Sequence, residues 1–139
     1  MAGYSGTPLA KKLGIKENFK VTLINAPDQF EGALGELPHG VTITTPAKKS
    51  IDLILFFTKS QADLKKHFAW LADGLVPNGM LWVGWPKKAS GVPTDLSEGI
   101  VQSIGLAAGL VDTKVCAIDE VWSGLRFVIR VKDRPHPSK

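Results

Sequence analysis

The sequence predicts a three-layer α/β fold, in which a mostly parallel sheet carries helices on both faces and ends in a C-terminal antiparallel hairpin. Strand-like and helix-like segments alternate along most of the 139 residues, which is typical of parallel strands joined by helical crossovers. The last two strand-like segments, residues 112–119 and 125–132, are separated by only five residues. Because five residues cannot form a helical crossover, these two strands must pair antiparallel.

The first half of the chain predicts two short helices and two strands. In order, these are a helix over residues 5–15, a strand over 19–27, a helix over 28–37 and a strand over 41–45. Thr7 can cap the first helix and Gly14 can end it. The few residues after strand 41–45 are short for a parallel crossover, which usually needs about 10. The direction of this strand is therefore left open: either the link runs extended, or the strand pairs antiparallel at an edge.

The second half predicts two buried strands, two longer helices and the hairpin. Residues 51–57 are almost continuously apolar, as in a strand buried on both faces. Ser60, with Asp63 three residues on, then caps a helix whose apolar face we expect to extend to Leu75. A second buried strand follows over residues 80–85, and a second helix runs from about Asp95 to Ala108.

Composition and charge indicate one globular domain. The 44% hydrophobic and 22% charged residues are close to the averages of soluble proteins. We assign residues 1–132 to a single α/β domain and residues 133–139 to a flexible C-terminal tail. The net charge of +4 favours an anionic partner. With one cysteine, no signal peptide and no apolar run long enough to span a bilayer, we expect a cytoplasmic protein without a membrane segment.

The order of these elements resembles a shortened Rossmann-like methyltransferase fold that lacks one helix and one edge strand. Residues 71–86 are similar to the helix, Pro-x-Gly turn and strand in the second half of such enzymes. The resemblance implies S-adenosylmethionine as the cofactor to consider, and its usual pose needs a glycine-rich turn after the first strand. Here that turn contains Pro27 and no Gly-x-Gly. We therefore predict no cofactor, with S-adenosylmethionine as the alternative.

A second resemblance spans nearly the whole chain and rests on three short motifs. They are Lys12 to Lys16, Asn78 to Lys87, and Glu120 to Gly124. In these motifs the chain is similar to an uncharacterised bacterial family catalogued as domain of unknown function 3052. It departs from that family by its two adjacent lysines and by one extra residue between acid and tryptophan. The resemblance implies a fold and no activity.

The carboxyl ends of the predicted parallel strands indicate where a ligand would bind. Open α/β sheets bind ligands beyond these ends, near the point where strand order reverses. Four groups of residues follow strands that run the same way, namely Asn25–Pro27, Thr58–Ser60, Trp85–Lys88, and Ile118–Glu120 with Trp122. We expect these groups to meet at one edge of the sheet.

Lys87 and Lys88 make the loop between residues 86 and 95 a candidate anion site. They precede the flexible Ser90 and Gly91 and the amino end of the predicted helix. Backbone N–H groups and the helix dipole favour negative charge there, so a phosphate or carboxylate could bind. The alternative is a solvated loop in which a residue such as Asp95 merely caps the helix.

Three tryptophans and two adjacent carboxylates are further candidates near this edge. Trp122 could stack on a base or an adenine ring, or could close the hairpin over the core. Trp82 and Trp85 face opposite sides of their strand, so at most one of them lines a given pocket. Asp119 and Glu120 could serve acid/base chemistry, or could form salt bridges with nearby basic residues.

No catalytic residue and no metal site are assigned. The three histidines lie far apart in the sequence, and no cysteine stands at a ligand spacing from them. Cys116 lies within a strand, where a buried cysteine behaves as a small apolar residue.

These observations favour a non-catalytic binding or regulatory module with a degenerate methyltransferase-like fold, a basic anion-binding loop, and a small anionic ligand or a protein as its partner. Its predicted ligand-binding residues are Lys87, Lys88, Ser90, Gly91, Trp122, Asn25, Trp85 and Asp119. The first alternative is an S-adenosylmethionine-dependent methyltransferase with an atypical loop, in which Asn25, Asp28 and Trp85 line the cofactor cleft. Nucleic-acid binding ranks last, because the lysines form no single stripe.

The last strand, residues 125–132, is expected at an edge of the sheet. Its Arg126, Arg130 and Lys132 fall on one face and could discourage edge-to-edge pairing. A homodimer is left open.

Overall fold

A computed structural model describes residues 8–44 and 50–133 of the chain. In chain order the elements are α1 (Leu9–Leu13), β1 (Lys20–Ile24), α2 (Phe30–Ala33), β2 (Thr42–Thr44), β3 (Ile51–Phe57), α3 (Gln61–Asp73), β4 (Leu75–Pro86), α4 (Glu98–Ala107), β5 (Leu110–Ala117) and β6 (Trp122–Ile129). Short 3-10 turns lie at Lys88–Ser90 and Val131–Asp133. The predicted cap Thr7 and the part of the predicted tail beyond Asp133 lie outside the described residues.

The six strands form one sheet in the order β2-β1-β3-β4-β6-β5. Neighbouring strands from β2 to β4 pair parallel, whereas β6 pairs antiparallel with both β4 and β5. The predicted α/β class, its mostly parallel sheet and its C-terminal antiparallel hairpin are therefore confirmed. Strand β2 pairs parallel to β1, which decides the direction that the sequence left open.

Helices cover both faces of the sheet and create two separate cores. On one face, α3 and α4 bury Leu64, Phe68 and Val101 against the strands. On the other face, α1 and α2 bury Leu13 and Phe30. Strand β3 supplies side chains to both cores, and only one of its seven residues is not fully buried.

Helix α3 begins as predicted but ends earlier. The Ser60 hydroxyl accepts the backbone N–H of Asp63 at 3.1 Å, which is the expected N-cap. Leu75, expected on the helix face, is instead the first residue of β4 and pairs with Ile51. Residues 77–79 lie inside β4, where the register shifts. The prediction for Leu75 was wrong because an apolar side chain at that position is buried equally well by a strand.

Strand β6 lies inside the sheet, so the expected edge position was wrong; the edge strands are β2 and β5. Of the three basic residues that suggested an edge, Arg130 and Lys132 lie beyond the end of β6 at Ile129, and Arg126 has local partners. Arg126 donates from Nε to the Thr113 hydroxyl at 2.8 Å, and its guanidinium lies 5.9 Å from the ring centre of Trp82. Trp122, expected in the turn, is the first residue of β6 and pairs with Pro86.

Asp119 closes the turn between β5 and β6. Its Oδ1 accepts the backbone N–H groups of Val121 and Trp122, both at 2.8 Å. The salt bridges considered for this carboxylate are not seen among the described residues. The carboxylate of Asp119 therefore has a structural role in the hairpin.

Gly105 allows α4 to lie directly against β6, because a Cβ at this position would overlap the ring of Phe127. We expect Gly105→Ala to lower the free energy of unfolding by about 1–3 kcal/mol, the usual cost of overpacking a core. Gly99→Ala in the same helix is the matched control, since nothing lies within 4 Å of its added Cβ and alanine favours helix. Urea unfolding of both variants checks this, and equal stabilities would contradict the packing argument.

Asp119→Ala should lower the free energy of unfolding by about 1–3 kcal/mol, because two backbone N–H groups lose a charged acceptor. Asp119→Asn should retain most of the stability, since its carbonyl oxygen can still accept both hydrogen bonds. Glu120→Ala is the control, because Glu120 is the exposed neighbour and surface substitutions change stability by about 0.5 kcal/mol or less. Thermal unfolding measures all three, and an Asp119→Ala variant as stable as the control would refute the turn-closing role.

Candidate ligand-binding site

The carboxyl ends of β1, β3 and β4 lie at one edge of the sheet, together with the first residue of β6. In the strand order, β2 lies on one side of β1 and β3 on the other. This reversal is a topological switch point, and open α/β sheets bind ligands in the crevice outside it. The side of the sheet that the sequence indicated for ligand binding therefore contains a topological switch point.

A cleft of about 450 Å³ opens at this switch point. Its size lies within the range of roughly 300–1,000 Å³ that is typical of small-molecule sites. The turn after β1 contributes Asn25 and Pro27, and the turn after β3 contributes Thr58, Lys59 and Ser60. Polar and charged groups from two turns thus converge on one concave surface.

Aromatic rings line the inner wall of the cleft. Phe57 packs edge-to-face against Trp122, with ring centres 5.0 Å apart, and in the same way against Phe30. Gly84 in the neighbouring strand makes room for Phe57, because a Cβ there would lie 3.2 Å from the ring. Trp122 is only half-buried and lines the cleft, so part of its ring is accessible to a ligand.

A hydrogen-bonded network fixes the β3 side of the cleft. Thr58, which is 5% exposed, donates from its hydroxyl to Asp63 Oδ2 at 2.8 Å and accepts the backbone N–H of Ser60 at 3.3 Å. The other carboxylate oxygen of Asp63 lies 3.1 Å from His67 Nδ1. Asp63 also lines the cleft, so its charge is held at a defined position there.

Asn25 holds the β1 side of the cleft. Its φ of 59° lies in the left-handed region, where asparagine is tolerated better than most residues. Its side-chain amide donates to the Phe57 carbonyl at 3.3 Å. Asp28, considered for the same cleft, is exposed and is not among its lining residues.

The lysine loop lies beside the cleft and does not line it. Lys87 donates its backbone N–H to the Val121 carbonyl at 2.7 Å, and the Ser90 hydroxyl donates to the Lys87 carbonyl at 2.6 Å. Gly91 ends the turn with a φ of 77°. Ser90 and Gly91 therefore shape the loop, while the structure brings neither Lys87 nor Lys88 into the cleft.

Helix α4 begins later than predicted, and Asp95 does not cap it. Ser97 is the N-cap, and its hydroxyl accepts the N–H of Ile100. Asp95 instead accepts the N–H of Gln61 at 2.8 Å, and the Gln61 side-chain amide donates to the Asp95 carbonyl at the same distance. The loop after the lysines is thus attached to the start of α3.

Two further predicted residues lie outside the cleft. Trp85 is 5% exposed and packs in the core under α3 and α4, whereas Trp82 packs in the opposite core, as the alternation required. Asp119 is occupied by the turn that it closes. Of the eight predicted ligand-binding residues, the cleft therefore brings together Asn25 and Trp122.

The described residues hold no group of three or more His, Cys, Asp or Glu side chains placed to bind a metal ion. Burial raises the pKa of the Cys116 thiol, although Lys12, Lys114 and Arg126 favour its thiolate. The thiol is therefore the form expected at neutral pH.

None of the helices in the described part of the chain has the length and apolar character that a membrane-spanning helix needs.

Two larger grooves lie away from the strand ends. One, of about 770 Å³, lies between α3 and α4, and its lining includes Phe68 and Ile100. The other, of about 790 Å³, lies beside α1. Neither is at the switch point of the sheet. We place the candidate site in the smaller cleft, because fixed polar groups and an aromatic face converge there.

Sequence reasoning did not select Lys59 and Asp63 as ligand-binding residues. Lys59 belongs to a group that was predicted to reach this edge, so position alone could have identified it. Asp63 was interpreted only through its place in the capping pattern. Its contact with Thr58 was the missing information, because the pattern does not show where the carboxylate points.

No family model and no curated protein matches the chain, so the resemblance to domain of unknown function 3052 is not confirmed. Solved structures do match. A SAM-dependent methyltransferase from Aquifex aeolicus is 16% identical, with 86% of each chain covered and a TM-score of 0.62. A Sulfolobus solfataricus protein assigned to the type 11 methyltransferases is 14% identical, with 92% of this chain and 93% of that chain covered and a TM-score of 0.65.

A third structure contains a ligand. Magnesium protoporphyrin IX methyltransferase from Synechocystis PCC 6803 with bound SAM is 9% identical, with 87% of this chain and 74% of that chain covered and a TM-score of 0.54. At such identities the likeness concerns the fold alone. The chain has the Rossmann-like fold of S-adenosylmethionine-dependent methyltransferases.

Proposed function

We propose that the cleft at the switch point binds S-adenosylmethionine and that the protein is a methyltransferase. The position of the cleft carries the proposal, since it lies beyond the ends of β1 and β3 and is lined by both of the turns that follow them. The methyltransferase fold of the matching structures supports the choice of ligand. This reading replaces the prediction that no cofactor binds.

The lining residues suit an adenosyl ligand. Trp122 offers a half-buried aromatic face on which an adenine ring can stack. Asn25 offers a carboxamide for hydrogen bonds, and Lys59 offers a cation for a carboxylate. The turn after β1 lacks the usual glycine, but Asn25 adopts a positive φ that glycine would otherwise supply. Side chains would therefore make the ligand contacts that the backbone makes in a glycine-rich turn.

S-adenosylmethionine supplies, when bound, a methyl group on a sulfonium that a nucleophile can attack. The contribution of the protein would be to hold the two reactants in a defined position. Phe57 keeps water from the inner wall, and the network around Thr58 keeps the β3 turn in place. Positioning of two reactants in a defined geometry lowers a barrier substantially.

Isothermal titration with S-adenosylmethionine and S-adenosylhomocysteine tests the proposal. We expect both ligands to bind, and Trp122→Ala to weaken binding about 5-fold or more, because stacking on an aromatic ring is worth about 1–3 kcal/mol. Trp70→Ala is the matched control, since Trp70 is 52% exposed on α3 and outside the cleft. Absence of binding to the wild-type protein, or equal loss in both variants, would refute the site.

A second candidate function is the binding of an anion by the basic loop. The ammonium groups of Lys87 and Lys88 make no hydrogen bond or ion pair within the described ranges, so they are available to an anion. For this non-catalytic anion-binding module, we expect pyrophosphate to raise the melting temperature, and Lys87→Glu with Lys88→Glu to abolish the shift. A shift that survives both substitutions would exclude the loop as the anion site. Absence of a shift with pyrophosphate would favour a protein partner.

A further inference from the structure

Two opposite charges line the β3 side of the cleft without pairing with each other. Lys59 precedes the N-cap of α3, and Asp63 lies in the first turn of that helix. No ion pair joins their side chains in the described structure. A cation and an anion that share a small cleft without pairing with each other form a complement to a ligand that carries both charges.

The Asp63 carboxylate is fixed but not saturated. It accepts the Thr58 hydroxyl at 2.8 Å on Oδ2, and His67 Nδ1 lies 3.1 Å from Oδ1. An ionised carboxylate has about four acceptor positions, so two partners leave capacity for a third donor. A ligand ammonium is the donor that this capacity suits best, because its charge is opposite.

Lys59 has a fixed backbone and an available side chain. Its carbonyl accepts the Thr94 hydroxyl at 2.6 Å, which fixes the base of the side chain. Its ammonium has no hydrogen bond or ion pair with any described residue. The side chain is exposed and can therefore meet a ligand carboxylate.

We infer that the Lys59–Asp63 wall binds an α-amino carboxylate, with Lys59 on the carboxylate and Asp63 on the ammonium. This inference rests on the proposed function: it assigns the amino-acid end of the adenosyl ligand to the turn after β3 and leaves its ring system to Trp122. The wall would thus supply a zwitterion subsite on side chains, in a protein whose turn after β1 has no glycine. Ligands that lack the amino-acid end should bind much less well.

Titration calorimetry with two probes tests this assignment: S-adenosylhomocysteine, which has the amino-acid end, and 5′-methylthioadenosine, which lacks it. We expect the wild-type protein to bind S-adenosylhomocysteine at least about 10-fold more tightly, as charge-assisted hydrogen bonds would give. Lys59→Gln should remove most of that difference by weakening S-adenosylhomocysteine alone. Lys66→Gln, an exposed lysine on α3 outside the cleft, should preserve the difference.

Asp63→Asn provides a second variant that removes charge and can keep the hydrogen bond from Thr58. It should also weaken S-adenosylhomocysteine selectively. Equal affinities of the two probes for the wild-type protein, or equal losses of both in Lys59→Gln, would overturn the zwitterion subsite while the proposed function stands. Failure of both probes to bind the wild-type protein would overturn the proposed function together with the subsite.

Discussion

Strand β3 is buried on both faces of the sheet, and the rest of the fold is arranged around this burial. Six of its seven residues are buried, and its side chains enter two different cores. A strand of this kind needs a layer of helices above and below it and a strand on each side. Helices α1 and α2 form one layer and α3 and α4 the other, while β1 and β4 pair with its two edges.

The same arrangement explains why a cleft exists where it does. After β1 the chain turns toward α2, which packs on one face of the sheet, and after β3 it turns toward α3 on the opposite face. Two parallel neighbours whose connections leave in opposite directions open a crevice between their ends. Asn25 bridges this crevice at its base through its contact with the Phe57 carbonyl, so the crevice has a fixed width there.

Elements that depend on neighbouring residues were predictable, whereas those that depend on distant partners were not. Ser60 was predicted as a cap because capping involves residues three positions apart. Leu75 was misassigned because helix and strand both bury an apolar residue there. The interior position of β6 follows from its pairing with β4, which no local pattern reports. At the cleft, Asn25 and Trp122 were predictable because both follow strands that run the same way, but the burial of Trp85 required the packing of α3 and α4.

The contacts between the start of α3 and the loop before α4 have a mechanical consequence. Gln61 and Asp95 exchange two hydrogen bonds, and Thr94 binds the Lys59 carbonyl. Three hydrogen bonds join these two segments, which lie more than 30 residues apart in the sequence. We therefore expect a displacement of the turn after β3 to strain these bonds and to shift the loop that carries the lysines in the same direction.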